Sequence, residues 1–374
     1  MKLYFLTLVG LLILVHASLR IGHAASAADL KTAKAEVESK GYIFELSHDE
    51  IVAKAKRERG RIRGHISQDP STFNAVAAAF KAEYPFVDPH IEELTGTDAT
   101  QRFFLQVKAG RAQEWDAGHL SDEVYKDYQP YLKKFDIRGM ARHGVLRIPA
   151  EIIDPVNRNI VAVNSGMQVI AYNKKLLAAD KLPNAWQDFL KPEFKGRKFT
   201  ADIRPTEIAS LVPAWGLEKT LDFARKIAAQ EPVWIRGATR TLTAMAAGEY
   251  SLFLGPNFNT VMRAIKKDVT GTLDLKLLEP VPVRLTEALA VLASSERPYT
   301  ALLWIEFQAS PKGQKIVDDL HPYGASAFIP GSAQEKLVRG KRTSIVQWDH
   351  FSQLGDYQAK VVGAYGFPKE EKKQ

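Results

Sequence analysis

Apolar positions along this chain switch repeatedly between a strand-like and a helix-like period. Residues 28–60 read as charged helix ending at Gly60, and 61–66 as a strand. Asp69-Pro70 then forms a helix start, a capping side chain followed by proline at the first helical position. Phe73, Val76, Ala77, Phe80 and Tyr84 recur at helical spacing behind it. A second strand is predicted over 87–94. Thr97-Asp98 opens a helix carrying Phe104, Leu105 and Val107 and closing at Gly110, and 114–120 reads as a third strand. This β-α-β-α-β order predicts a parallel sheet covered by helices.

A second alternation follows two less regular stretches. Residues 160–172 read as strand except at Asn164-Ser165-Gly166, where glycine marks a bulge, a close backbone approach or a hinge. Strands are predicted over 197–201, 232–235, 250–254 and 275–283. Helices are predicted over 205–215, 239–247, 260–267 and 299–309, with another starting at Pro311. Leu217, Leu221, Ala224 and Ala228 share one further helix face. The expected domains are 28–165 (first lobe), 166–284 (second lobe), 285–345 (return to the first lobe) and 346–374 (a C-terminal tail). Two such lobes leave a cleft at the carboxyl ends of their strands, where open α/β sheets bind ligands.

The 374 residues are enough for two domains. Cysteine is absent, which excludes disulfides, a cysteine nucleophile, thiolate-bound zinc and iron–sulfur clusters. There is no His-Glu-x-x-His, no Gly-x-Ser-x-Gly and no phosphate-binding loop, and the 9 histidines form no i, i+4 pair. Lys2, the apolar run 3–15 and the small residues around Ala25-Ser26-Ala27 read as a secretory signal peptide, expected to span 1–27. The apolar run is short of the roughly 20 residues a spanning helix needs. Removing Lys2 and Arg20 lowers the 51 basic residues to 49, against 43 acidic. A basic exported protein favours anionic partners, with nucleic acid not expected among them. The dense basic run 54–63 reads as a solvated face.

Several segments resemble a known family. Gly166-Met167-Gln168-Val169-Ile170-Ala171-Tyr172-Asn173, followed by Leu182-Pro183-Asn184-Ala185-Trp186-Gln187-Asp188-Phe189-Leu190, is similar to a passage of bacterial extracellular solute-binding proteins. So are Lys191-Pro192-Glu193-Phe194-Lys195-Gly196-Arg197, Ala247-Gly248-Glu249 and Phe307-Gln308-Ala309-Ser310-Pro311-Lys312-Gly313-Gln314. In order, these resemble the ferric-iron-type branch of the ABC-transporter solute-binding proteins. The resemblance implies an α/β, two-lobed type II periplasmic (Venus flytrap) fold, each lobe a mostly parallel sheet with flanking helices. It also implies a periplasmic location, no catalysis, and a membrane permease and its ATPase as partners. The protein is expected to act as a monomer without a cofactor.

Ferric members of that branch use two adjacent tyrosines, and the matching positions here hold Phe258 and Asn259. Neither supplies the phenolate that suits a hard cation. Asp69, His119 and Asp122 are the other metal-ligand candidates, each with a simpler role as cap or surface group. Placement after strands makes Ser67, Thr72, Thr97, Thr100 and Ser121 the cleft candidates of the first lobe. Arg204, Thr206, Gly237, Thr239, Asn257 and Asn259 are those of the second. Hydroxyls, amides and helix starts suit an anion or a polyol. Arg204, Arg236 and Arg240 are candidates to hold a carboxylate or phosphate through paired hydrogen bonds. Trp234 and Tyr323 are candidates to stack or to line the mouth. Gly166 and 280–283 are the expected hinge, and the expected solute is a small organic anion, with ferric ion as the alternative.

Overall fold

The computed structural model describes residues 27–66, 68, 70–94, 97–120, 125–321 and 323–367. The expected signal peptide therefore lies outside the described residues except for Ala27, as do Ser67, Asp69, Ser121 and Asp122. Eleven strands are present among the described residues: β1 Arg61–Ile66, β2 Asp88–Glu93, β3 Ala117–Leu120, β4 Val161–Met167, β5 Ile170–Asn173, β6 Thr200–Asp202, β7 Val233–Ile235, β8 Leu252–Leu254, β9 Leu273–Lys276, β10 Val281–Val291 and β11 Thr343–Val346. They form two sheets, one in the order β11-β10-β3-β1-β2 with β4 also paired to β10, the other β7-β6-β8-β5-β9.

In the first sheet β1 runs parallel to β2 and β3, as the β-α-β-α-β order requires. Its glycine has a packing reason: a Cβ added at Gly64 would lie 3.0 Å from the indole nitrogen of Trp304. Trp304 is fully buried, in a helix Pro298–Ala309 whose described side chains from Thr300 onward are all buried. In the second sheet β6 is parallel to β7 and β8, while β5 is antiparallel to β8 and β9. The carboxyl ends of β6, β7 and β8 thus share one edge of the sheet.

The two lobes are joined by a ladder. β4 and β10 pair antiparallel from Val161↔Leu289 to Met167↔Val283. Val161, Ala162, Leu285 and Leu289 pack in the core of the first lobe, whereas Met167, Val281 and Val283 pack with Phe253 and Phe258 of the second. Each of these two strands therefore passes from one lobe into the other, at the place where Gly166 and 280–283 were expected to form a hinge.

Several boundaries differ from expectation for identifiable reasons. The predicted strand 160–172 divides at Gln168-Val169 into β4 and β5. The strand expected over 275–283 is two strands, separated by a segment with a cis Glu279-Pro280 bond, and β10 continues to Val291. Arg284, Thr286 and Glu287 interrupt the apolar pattern there because they are only half-buried. The helix expected over 205–215 is two short ones, Thr206–Ala209 and Val212–Trp215, and Pro213 removes the amide a continuous helix would need. Residues 28–60 hold helices Ala27–Glu38 and His48–Ala55, the second capped by the Ser47 hydroxyl, which accepts from the Glu50 amide. In the basic run, Lys54 pairs with Glu45, Arg61 with Asp88 and Arg63 with Glu92, so acids of neighbouring elements offset it.

The expected C-terminal tail is largely ordered helix. Trp348–Phe351 and Leu354–Ala364 follow β11, and Leu354, Val361 and Tyr365 are buried against Ile208, Ala209 and Phe223 of the second lobe. Among the described residues no helix is long and apolar enough to cross a membrane.

Near the end of β1, His65 is buried, stacked on Trp115 with centroids 3.9 Å apart and meeting Phe103 edge-on. Burial, with smaller contributions from His119 and Arg63, pushes its pKa down to about 3. The folded state therefore stays neutral where the unfolded chain takes up a proton. Stability should fall as pH drops below 6.5, by at most about 1.4 kcal/mol per unit until the folded pKa is reached. Urea midpoints at pH 7 and 4.5 check this, and His65→Phe should flatten the difference. An equally steep acid loss in the variant would show that the slope comes from other groups.

Candidate functional site

A cleft of about 570 Å³ opens at the shared carboxyl ends of β6, β7 and β8. Each strand end delivers polar groups to it. β6 is followed by Arg204 and Thr206, β7 by Arg236 and Ala238, and β8 by Gly255, Pro256 and Asn257. The opposite lobe contributes Gln101, from helix Thr97–Lys108. The crossover contributes Gln168 and Arg284. The C-terminal helix adds Gln358.

The second-lobe wall is braced by Asp202, which also lines the cleft. Its carboxylate accepts from the amides of Arg204 at 2.9 Å and Gly237 at 3.0 Å, fixing the turns after β6 and β7 relative to one another. The Arg204 Nε also lies 3.5 Å from it. Asn257 caps helix Phe258–Lys267, its side-chain oxygen accepting from the amides of Asn259 and Thr260. That leaves the Asn257 Nδ2 free of the capping role, and a Cβ added at Gly166 would lie 3.0 Å from it. The same Cβ would lie 3.7 Å from Arg284 Nε, and Arg284 faces Gly166 in the β4–β10 ladder. Glycine at 166 thus makes room for an amide and a guanidinium at the base of the cleft.

Glu207 sits in the same wall and is 3% exposed. Its Oε1 has no hydrogen-bond partner. Burial pushes its carboxyl well above the usual range, and the nearby Asp202 adds to the shift. That shift favours the protonated form, the one able to donate a hydrogen bond. Gln168 is likewise buried and lines the cleft, and its Oε1 has no partner. Arg204, Arg236 and Arg284 thus bring three guanidinium groups to a cleft whose Asp202 carboxylate is already engaged by backbone amides. This arrangement favours an anion with further hydrogen-bonding groups.

The structure brings together Arg204, Thr206, Arg236 and Asn257 among the expected residues, with Gly237 joined to the wall through Asp202. It places others elsewhere. Thr72 is wholly buried within helix Pro70–Glu83 and Thr100 is 1% exposed, so both face protein rather than the cleft. Thr239 lines a separate groove between helices Ala238–Ala246 and Phe258–Lys267. Arg240 is exposed and outside the cleft lining, as is the half-buried Asn259. Thr97 begins a described helix, and its side chain lies outside the description. Phe258 is buried edge-on to Tyr323 with centroids 5.3 Å apart, so both rings belong to packing. Trp234 packs on Tyr365 and Phe367. His119 lies in β3, paired opposite Leu289.

The comparisons with known proteins agree with this architecture. A family model described as bacterial extracellular solute-binding protein matches residues 127–354. No curated protein matches the chain. Iron-bound HitA from Pseudomonas aeruginosa is similar in structure, at 17% identity and TM-score 0.61, over 82% of this chain and 99% of that one. Trichodesmium FutA in complex with iron and citrate is similar at 17% identity and TM-score 0.65, over 83% and 100%. The spermidine/putrescine substrate-binding protein PotD of Streptococcus pneumoniae is similar at 13% identity and TM-score 0.59, over 82% and 100%. At such identities the likeness is one of fold, here the two-lobed α/β fold of periplasmic binding proteins. With more than half its length matched by the family model, the chain belongs to the bacterial extracellular solute-binding proteins.

Proposed function

We propose that this protein is the periplasmic capture component of an ABC importer and takes up a small organic anion, a carboxylate or a phosphate, in its interlobe cleft. The observation that carries the reading is the convergence of Arg204, Arg236 and Arg284 on one cleft in which Asp202 is engaged by backbone amides. The leader expected at 1–27 supports export, and a permease with its ATPase is the receiving partner. Groups from the second lobe, the crossover and Gln101 of the first lobe reach the same space. A solute touching all of them binds the closed form more tightly than the open one, and only that difference drives closure.

A second reading, ferric ion, is supported by the iron-bound structures named above. The donors here suit it less. Among the described residues no tyrosine lines the cleft, and no group of three histidine, aspartate or glutamate side chains is placed to hold a metal ion. Guanidinium groups repel a trivalent cation.

The test is a thermal-shift screen of ligand-free protein lacking residues 1–27, against inorganic phosphate, phosphorylated metabolites, organic acids, ferric salts and polyamines. A compound at a hundred times its Kd adds roughly 2.7 kcal/mol. Stabilisation by a phosphate or carboxylate compound is expected. Stabilisation by ferric salts or polyamines with none by anions would overturn the reading.

A further inference from the structure

The family model ends at residue 354, the first residue of helix Leu354–Ala364. That helix is nevertheless built into the cleft. Leu354 and Val361 are fully buried and Tyr365, at its end, is 6% exposed, which anchors one face in the core of the second lobe. From the anchored helix, Gln358 reaches the cleft and donates its Nε2–H to the Thr206 hydroxyl at 2.9 Å. One hydrogen bond leaves an amide side chain with further donor and acceptor capacity. Tyr365 lies close enough to Glu207 for their charged forms to interact, and its buried hydroxyl has no hydrogen-bond partner. The end of the helix therefore backs the same wall that Glu207 presents to the cleft.

We propose that the C-terminal helix Leu354–Ala364 is part of the solute site, and that Gln358 contacts the uncharged portion of the bound solute and sets which solute is accepted. The arginines hold the charged group. A neutral amide beside the Thr206 hydroxyl suits hydroxyl or carbonyl groups on the remainder of the molecule. Only the class of solute rests on the anion reading; the helix's place in the site does not.

The experiment measures affinities of wild type, Gln358→Ala and Gln358→Glu for inorganic phosphate, glycerol 3-phosphate, citrate, ferric citrate and spermidine, together with the melting temperature of each ligand-free protein. Gln358→Ala is expected to weaken the organic compounds that wild type binds by about 2–13-fold, the scale of one neutral hydrogen bond, while inorganic phosphate is unchanged. Its ligand-free melting temperature should stay within about 2 °C of wild type, because the side chain is half-buried at the surface. Gln358→Glu should weaken anions further through like-charge repulsion. If spermidine proves to be the compound bound, and its affinity changes at least twofold in either variant, the helix assignment holds and the anion reading falls. Affinities unchanged in both variants for every compound bound by wild type would overturn the assignment.

Discussion

Replacing Arg284 by alanine is expected to cost about 2–5 kcal/mol of affinity for the anion, the range found when one partner of a buried charge pair is removed. Arg284 carries the largest effect of the three arginines because of its position. Arg204 has 57% of its side chain exposed and Arg236 is also exposed, so water screens both. Arg284 is half-buried on β10 opposite Gly166, where the strands pass between the lobes. A charge pair there is more desolvated and lies close to the axis about which the lobes would close. Arg284→Lys should fall between wild type and alanine, since a lysine keeps the charge and loses the planar pair of donors. Titration calorimetry with the best compound from the screen reads this directly. Equal affinity in wild type and Arg284→Ala would remove Arg284 from the site.

Gly255→Ala is expected to destabilise the fold by about 3–5 kcal/mol, from left-handed strain and overpacking together. Gly255 directly follows β8 with φ +72°, and a Cβ there would lie 2.2 Å from both Cβ and Cγ of Glu207. The far end of a flexible chain could swing aside, but these are the first atoms of a fully packed side chain. Relief requires the turn after β8 to move away from helix Thr206–Ala209, which opens the wall of the cleft. Urea denaturation measures the loss, and an unchanged midpoint would show that the wall is loosely packed.

The lobes were legible in the sequence because their strands and helices follow simple periods. β1, β2 and β3 alternate with amphipathic helices, and β6, β7 and β8 end at polar turns, which made Arg204, Thr206, Arg236 and Asn257 visible as strand-end residues. The rest of the site depends on distant contacts. Arg284 was hidden by its own polarity: with Thr286 and Glu287 it breaks the apolar run of β10, so the strand read as ending at 283. Glu207 beside Thr206 looks like an ordinary solvated acid, and its burial arises from Gly255, which lets it pack against the turn after β8. Gln358 belongs to a helix whose buried face, Leu354 and Val361 with Tyr365 just beyond its end, finds its partners Ile208 and Phe223 far away in sequence. Thr72 and Thr100 followed strands in the expected way, yet their helices turn them into the core.

The central claim, an organic anion held in the cleft, is tested most directly by native mass spectrometry of the protein as purified from the periplasm without refolding. A bound organic acid or phosphorylated compound is expected, released on denaturation and absent from Arg284→Ala. A bound iron atom retained by Arg284→Ala would contradict it.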